Sequence, residues 1–389
     1  MNLDRRKFLK TSGAALLPAM IPVSSVLATS MGHTQPAAPT GPAVKFFGDG
    51  EMFEPVDYLA ELQKFQATTG IGRDRYGMGG SIEALEKKFT EITGKEKAIF
   101  MPSGTMSNQL AISVLSGENT KVIVQETSHV FRDESDAAQT IFSKRLVPLA
   151  KDAAYFTGQQ LAEGIAALKE AEVFKTNVGA VSIENPVRRA DGRVVPLEEI
   201  KKISAYCRSN NIGLHLDGAR IFLASGWTGV SIKEYASYFD TVYISLYKYF
   251  GAAAGAMLCG PREVIDKMAH LVKVHGGAMY GNWANAAMAL HRMEGFETRL
   301  QNAIQASKVI FAALNKLPGV KIGALDGGTN IYTLDLDKKI DRKKLRDTLR
   351  ESNILMPIPD GDNRAMLMVN ETLLYQPVDA IVNAFKKGL

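Results

Sequence analysis

Residues 241–260 read TVYISLYKYFGAAAGAMLCG, and the parsing of this stretch decides the fold. Thr241, Val242, Tyr243 and Ile244 form a β-branched and aromatic run of the kind that makes a buried strand. The run empties through Ser245 into a turn holding Lys248 beside Gly251, Ala252, Ala253 and Ala254. So many small side chains let backbone pack close to a flat object. An ammonium enclosed there loses hydration, which lowers its pKa and exposes a nucleophilic amine suited to Schiff-base chemistry. A lone lysine after a strand is ordinarily a solvated surface residue, so the reading of Lys248 depends on what the rest of the chain supplies.

Outward from this stretch the sequence alternates strand and helix. Residues 212–216 predict a strand ending in Asp217-Gly218-Ala219-Arg220, with Gly213, His215 and Asp217 on one face and Leu214 and Leu216 on the other. An ionised Asp217 facing inward needs a partner, either Arg220 in a structural ion pair or a protonated ring nitrogen of a cofactor. Residues 98–101 predict a short strand running into Pro102, Ser103, Gly104 and Thr105 and then a helix carrying Met106, Leu110, Ile112 and Val114. Backbone amides, hydroxyls and helix dipole converge at such a turn, an anion site suited to phosphate. Further strands are predicted over 121–125, ending near His129, and over 178–183, ending at Glu184 and Asn185. Helices are predicted over 81–93, with Ser81 as N-cap and Gly94 as stop, and over 196–209. Polar residues thus collect after strand C-termini, where open parallel sheets bind ligands.

The chain has 389 residues, 46% hydrophobic and 22% charged, enough for a large core and more than one average domain. Its net charge of +5 is small, and Arg5, Arg6, Lys7 and Lys10 against Asp4 supply +3 of it. The remainder carries no basic stripe, so nucleic acid is not an expected partner. The opening MNLDRRKFLK, a weakly apolar run over 13–23 broken by Pro18 and Pro22, and the small-residue pattern Val26-Leu27-Ala28 resemble a twin-arginine signal. Residues 1–28 are therefore expected to be an export signal read by the twin-arginine machinery, 29–45 a disordered leader, and the destination the periplasm. That route carries folded proteins, as suits a protein that acquires a cofactor beforehand. Cys207 falls in a helical pattern and Cys259 in a strand, where isolated thiols behave as small hydrophobes. The body is expected as a large α/β domain over 46–300, whose start crosses back to a small C-terminal α+β domain over 301–389.

Five motifs in order carry a family resemblance: RYGMGGSIEALEKKF at 75–89, PSGTMSNQLAI at 102–112, SHVFRDES at 128–135, HLDGARIF at 215–222 and SLYK at 245–248. Together they resemble the threonine aldolase and aromatic β-eliminating lyase group of pyridoxal-phosphate enzymes. The resemblance implies fold type I, with a mostly parallel sheet in the large domain. It further implies that Lys248 forms the Schiff base with pyridoxal 5'-phosphate, Asp217 pairs with the pyridine nitrogen and His129 stacks on the ring. Ser103, Gly104 and Thr105, with Ser245, would hold the phosphate, and Arg220 would grip a substrate carboxylate. No metal is implied, and a homo-oligomer, dimer or tetramer, is.

Departures from the family pattern fall around the substrate. Tyr249 and Phe250 follow the lysine and are expected to narrow the space behind the Schiff base. Pro186 and Val187 stand where the family tends to have a histidine, with Arg188 and Arg189 next; Arg188 is a candidate replacement contact. Tyr280 stands for an arginine reaching a neighbouring subunit's phosphate, and Met366 for a second carboxylate arginine, leaving Arg364 as a substitute. The expected activity is cleavage of the Cα–Cβ bond of a β-hydroxy amino acid. The alternatives are β-elimination, racemisation or transamination on the same cofactor, or an exported cofactor-binding protein without turnover.

Overall fold

The computed structural model describes residues 41–359 and 364–389, and the signal expected over 1–28 lies outside them. Residues 41–389 form one compact unit. In chain order its strands are β1 (Val44–Lys45), β2 (Lys97–Met101), β3 (Lys121–Gln125), β4 (Arg145–Leu149), β5 (Val178–Glu184) and β6 (Gly213–Asp217). Then come β7 (Thr241–Ser245), β8 (Ala256–Gly260), β9 (Val320–Ala324), β10 (Ile331–Leu336), β11 (Ile354–Leu355) and β12 (Ala365–Met368).

Seven strands make the central sheet in the order β2-β8-β7-β6-β5-β3-β4. Pairing is parallel from β7 to β4, and β8 alone runs against its neighbours β7 and β2. This is the α/β, mostly parallel architecture of fold type I. β3, β5, β7 and β8 are buried along their whole length, as expected of strands covered by helices on both faces. The helix Gly104–Ser116 lies on the face that carries His215 and Asp217. It comes close because Gly213 and Gly179 lack side chains: a Cβ at Gly213 would lie 2.8 Å from Leu115 Cβ, and one at Gly179 2.5 Å from Ser116 O.

The helix Gly80–Thr93 ends at Gly94 (φ 67°) as expected, but its N-cap is Gly79 rather than Ser81. The reason is local: Ser81 Oγ is taken up by the Gly72 amide at 3.2 Å, which ties the preceding loop down instead of capping the helix.

A second hydrophobic core joins Val44 and Phe46 to Ile310, Phe311, Leu345, Ile354, Leu367 and Phe385, around the antiparallel sheet β12-β10-β9. β1 pairs in parallel with β11, so the start of the body is stitched to its end and the disordered leader expected through residue 45 is corrected at Val44 and Lys45. The boundary expected at 300/301 falls inside the continuous helix Phe296–Leu314, which gives Phe296, Leu300 and Ile304 to the first core and Ile310, Phe311 and Leu314 to the second. Cys207 and Cys259 are free and buried, and burial pushes both thiols up to about 12.

Candidate active site

Five parallel strand ends open on one edge of the sheet. β2 leads to Ser103 and Gly104, β3 to His129, β5 to Glu184, β6 to Asp217, and β7 to Ser245 and then Lys248. Register aligns part of this edge, with Glu184 opposite Asp217 and Asp217 opposite Tyr243.

Ser103 is the N-cap of the helix Gly104–Ser116, accepting from the Met106 amide at 3.2 Å. Position 104 must be glycine, because a Cβ there would lie 2.1 Å from Tyr243 Oη. That contact seats the helix start directly on β7. Ser245, on the same strand face as Tyr243, has a buried Oγ with no well-formed hydrogen bond, although it bears on the Tyr243 phenol. An unpartnered buried hydroxyl costs about 1–3 kcal/mol, so this atom marks where the acceptor of a ligand would complete the site. Thr105, half-buried, begins the same helix. These groups suit an anion.

Asp217 is buried and held at both oxygens: Oδ2 accepts from Asn108 Nδ2 at 3.0 Å and Oδ1 from the Ala219 amide at 3.2 Å. Asn108 Nδ2 also donates to Glu134 Oε1 at 2.8 Å, and Glu134 Oε1 meets His129 Nδ1 at 2.9 Å. One amide group therefore spans the two carboxylates. Its oxygen must then be the acceptor for His215 Nε2 at 3.0 Å, which fixes His215 as the Nε2–H tautomer and leaves Nδ1 to accept from Thr241 Oγ1 at 2.8 Å. Burial pushes His215 down to about 4, so it stays neutral. The hydrogen bond to Glu134 is the main cause holding His129 above its usual range. Glu184 Oε2 accepts from the His129 amide at 2.7 Å and Oε1 from the Arg188 amide at 2.9 Å. Burial, and next the Asp217 charge, raise the Glu184 carboxyl.

Lys248 is half-buried in its turn, and burial first, the Arg220 guanidinium second, push its ammonium down to about 8. Arg220 Nε donates to both Asp49 oxygens at 2.9 Å. Asp217 is therefore not paired with Arg220, and the structural ion pair goes to a residue that sequence reasoning did not single out.

The other candidates turn their side chains elsewhere. Arg188 and Arg189 are exposed and share Asp133. Val187 is buried in the core, Tyr280 is exposed and packs edge-on to Tyr76 with centroids 5.5 Å apart, and Arg364 pairs with Asp335 at the surface. Met366 faces Thr333 within the second sheet. The expected narrowing by Tyr249 and Phe250 is corrected: both side chains are fully buried in an aromatic cluster with Phe222 and Phe296. Their apolar surface is better satisfied there than beside a charged turn. Tyr249 Oη donates to Ala219 O at 3.2 Å, so it props the Asp217–Arg220 turn from within the core.

Asn108, Glu134 and Asp49 were missed as site residues. Asn108 and Glu134 lay inside quoted motifs, and Asn108 follows Gly104 by about one helical turn, a spacing that points both at the same edge.

Residues 58–337, most of the chain, match the family described as beta-eliminating lyase. The chain belongs to that family. Among the relatives of this chain, the low-specificity L-threonine aldolase of Candida albicans is 36% identical over 228 residues, 58% of this chain and 60% of that one. An alanine racemase of Cochliobolus carbonum is 30% identical over 327 residues, 82% of this chain and 81% of its own. The solved threonine aldolase of Leishmania major is similar in fold, with a TM-score of 0.67 at 17% identity, covering 88% of this chain and 98% of that one.

Proposed function

We propose that this protein is a pyridoxal-phosphate enzyme that cleaves the Cα–Cβ bond of a β-hydroxy amino acid. The observation that carries the reading is the meeting of Lys248, its ammonium held down to about 8, with Asp217, His129 and the orphaned Ser245 hydroxyl on one sheet edge. Bound there, pyridoxal phosphate would supply an electron sink for the bond that breaks. Ser245 and the amides at Ser103, Gly104 and Thr105 would hold its phosphate, and the Asp217 carboxylate its ring nitrogen.

The chain's own groups supply the proton handling. His129 Nδ1 is turned to Glu134, which leaves Nε2 as the acceptor in the neutral ring, and the side chain keeps 31% of its surface exposed. Nε2 is thus the atom to take the substrate hydroxyl proton as the carbonyl product forms. Lys248, held to about 8 and so present as both ammonium and amine near neutral pH, is the group to return a proton to Cα from its ammonium form. Arg220 receives the substrate carboxylate. Arg188 is paired with Asp133 instead.

A second reading, racemisation, is favoured by the 30% identity to a fungal alanine racemase over 82% of this chain. Purified protein loaded with pyridoxal phosphate is incubated with threonine, allo-threonine, phenylserine and alanine. Glycine with the matching aldehyde is the expected outcome. D-alanine from L-alanine without aldehyde from any hydroxy amino acid would replace this reading with the second.

The same proposal includes export and assembly. The Arg5-Arg6 pair supports passage through the twin-arginine machinery to the periplasm, and replacing both with lysine should leave the protein in the cytoplasmic fraction. The exposed Tyr76, Met78, Met279 and Tyr280 support a homo-oligomer, checked by light scattering.

A further inference from the structure

We propose that Asp49 is a positioning residue that turns the terminal fork of Arg220 toward the substrate and so makes the site select amino acids by their carboxylate. The inference rests on the reading of Arg220 as the carboxylate receptor. A carboxylate that merely neutralised Arg220 would take two guanidinium nitrogens side by side, the stronger bidentate arrangement. Asp49 instead meets Nε alone, at 2.9 Å from each of its oxygens. Among the described residues the two Nη groups of Arg220 make no hydrogen bond, so the paired donors at the tip are left for a second carboxylate.

Asp49 is not a loosely placed surface charge. The side chains of Arg220 and Asp49 keep 16% and 11% of their surface exposed. The segment carrying Asp49 is clamped on both sides. From the second core, Asn370 Nδ2 contacts the carbonyls of Lys45, Phe47 and Gly48, each at 3.1 Å, and the Met368 amide donates to Phe46 O at 2.8 Å. From the lysine side, Gly50 is so close that a Cβ there would lie 2.8 Å from Tyr249 Cα and 3.3 Å from Lys248 O. Phe53 lies over the same turn, since a Cβ on Gly251 would meet its ring at 2.7 Å. A carboxylate delivered by so constrained a backbone holds the guanidinium in one plane, the condition under which its fork discriminates geometry as well as charge.

The test titrates cofactor-loaded protein with glycine and with glycinamide, which differ in the carboxylate alone, and follows the cofactor absorbance. Wild type should prefer glycine. Asp49→Ala should shrink that preference by about tenfold or more, through weaker glycine binding with glycinamide unchanged, and Arg220→Ala should do the same. Asp49→Asn, which keeps an acceptor for Nε, should recover part of it. Equal losses for both ligands in Asp49→Ala would mean a structural role only, and an unchanged preference would mean that Asp49 does not orient the fork; either overturns the proposal. A wild type that binds neither ligand, or shows no carboxylate preference, overturns it as well. A wild type that prefers glycine but releases no aldehyde from hydroxy amino acids sinks the lyase reading and leaves this one standing.

Discussion

Lys248 sits where burial and the Arg220 guanidinium act together, and the perturbation that exposes this is pH. With its ammonium held at about 8, roughly one molecule in ten carries the neutral amine at pH 7. An unperturbed lysine at 10.5 would offer about one in three thousand, so the site gains on the order of 300-fold in reactive amine at neutral pH. The sign is that of a depressed cation: the neutral form dominates above pH 8 and is lost as pH falls below it. The assay is covalent capture of pyridoxal phosphate by cofactor-free protein from pH 6 to 10, trapped with borohydride and located by peptide mass. Capture at Lys248 should rise about tenfold per pH unit below 8 and level off above it. Arg220→Gln removes the second cause of the depression, so the plateau should move upward. A rate that climbs without levelling until pH 10, or a plateau that Arg220→Gln leaves in place, would refute the reasoning.

Asn108→Leu removes the amide that bonds two buried carboxylates and His215, and should destabilise the fold by about 3–5 kcal/mol in urea unfolding, since charge-assisted bonds contribute about 1.5–3 kcal/mol each. Glu134→Gln removes the main cause that raises His129, so its imidazole should titrate lower by NMR, and lyase activity should extend to lower pH. His215 is neutral in the fold down to about 4 but titrates near 6.5 when unfolded, so the unfolded chain takes up the extra proton between those values. Stability should fall as pH drops through that window, by up to about 3 kcal/mol from this group, and His215→Gln should flatten that part of the unfolding curve.

The strands that open on the site were legible because each obeys a local rule. β7 is a continuous apolar run, β6 alternates, and the helix after β2 announces itself through Ser103 and Gly104. The motif residues follow from the same rule, since each lies within a few positions of a strand end. What escaped depends on contacts between distant parts of the chain. Asp49 and Arg220 are 171 residues apart, and β1 is a two-residue strand too short to show a period. Tyr249 was misjudged for another reason: an aromatic beside a reactive lysine reads equally as pocket wall or as core, and only the packing with Phe222 and Phe296 decides. The helix Phe296–Leu314 hid its division of labour in the same way, because one amphipathic pattern serves two cores.

The clamp on the segment around Asp49 sets an order of assembly. Its partners Asn353, Met368, Asn370 and Thr372 come from the last tenth of the chain, and the bonds from Lys45 to Thr372 and from Asn370 to Lys45 close loops of 327 and 325 residues. During synthesis the seven-stranded sheet is complete on emergence of β8, at Gly260, long before those partners exist. At that point residues 44–49 have their contacts at the lysine turn but lack those from the end of the chain. The site is finished only when the earliest synthesised residues are pinned by the latest, so a ribosome stalled near codon 350 would carry the sheet with Asp49 clamped on one side alone.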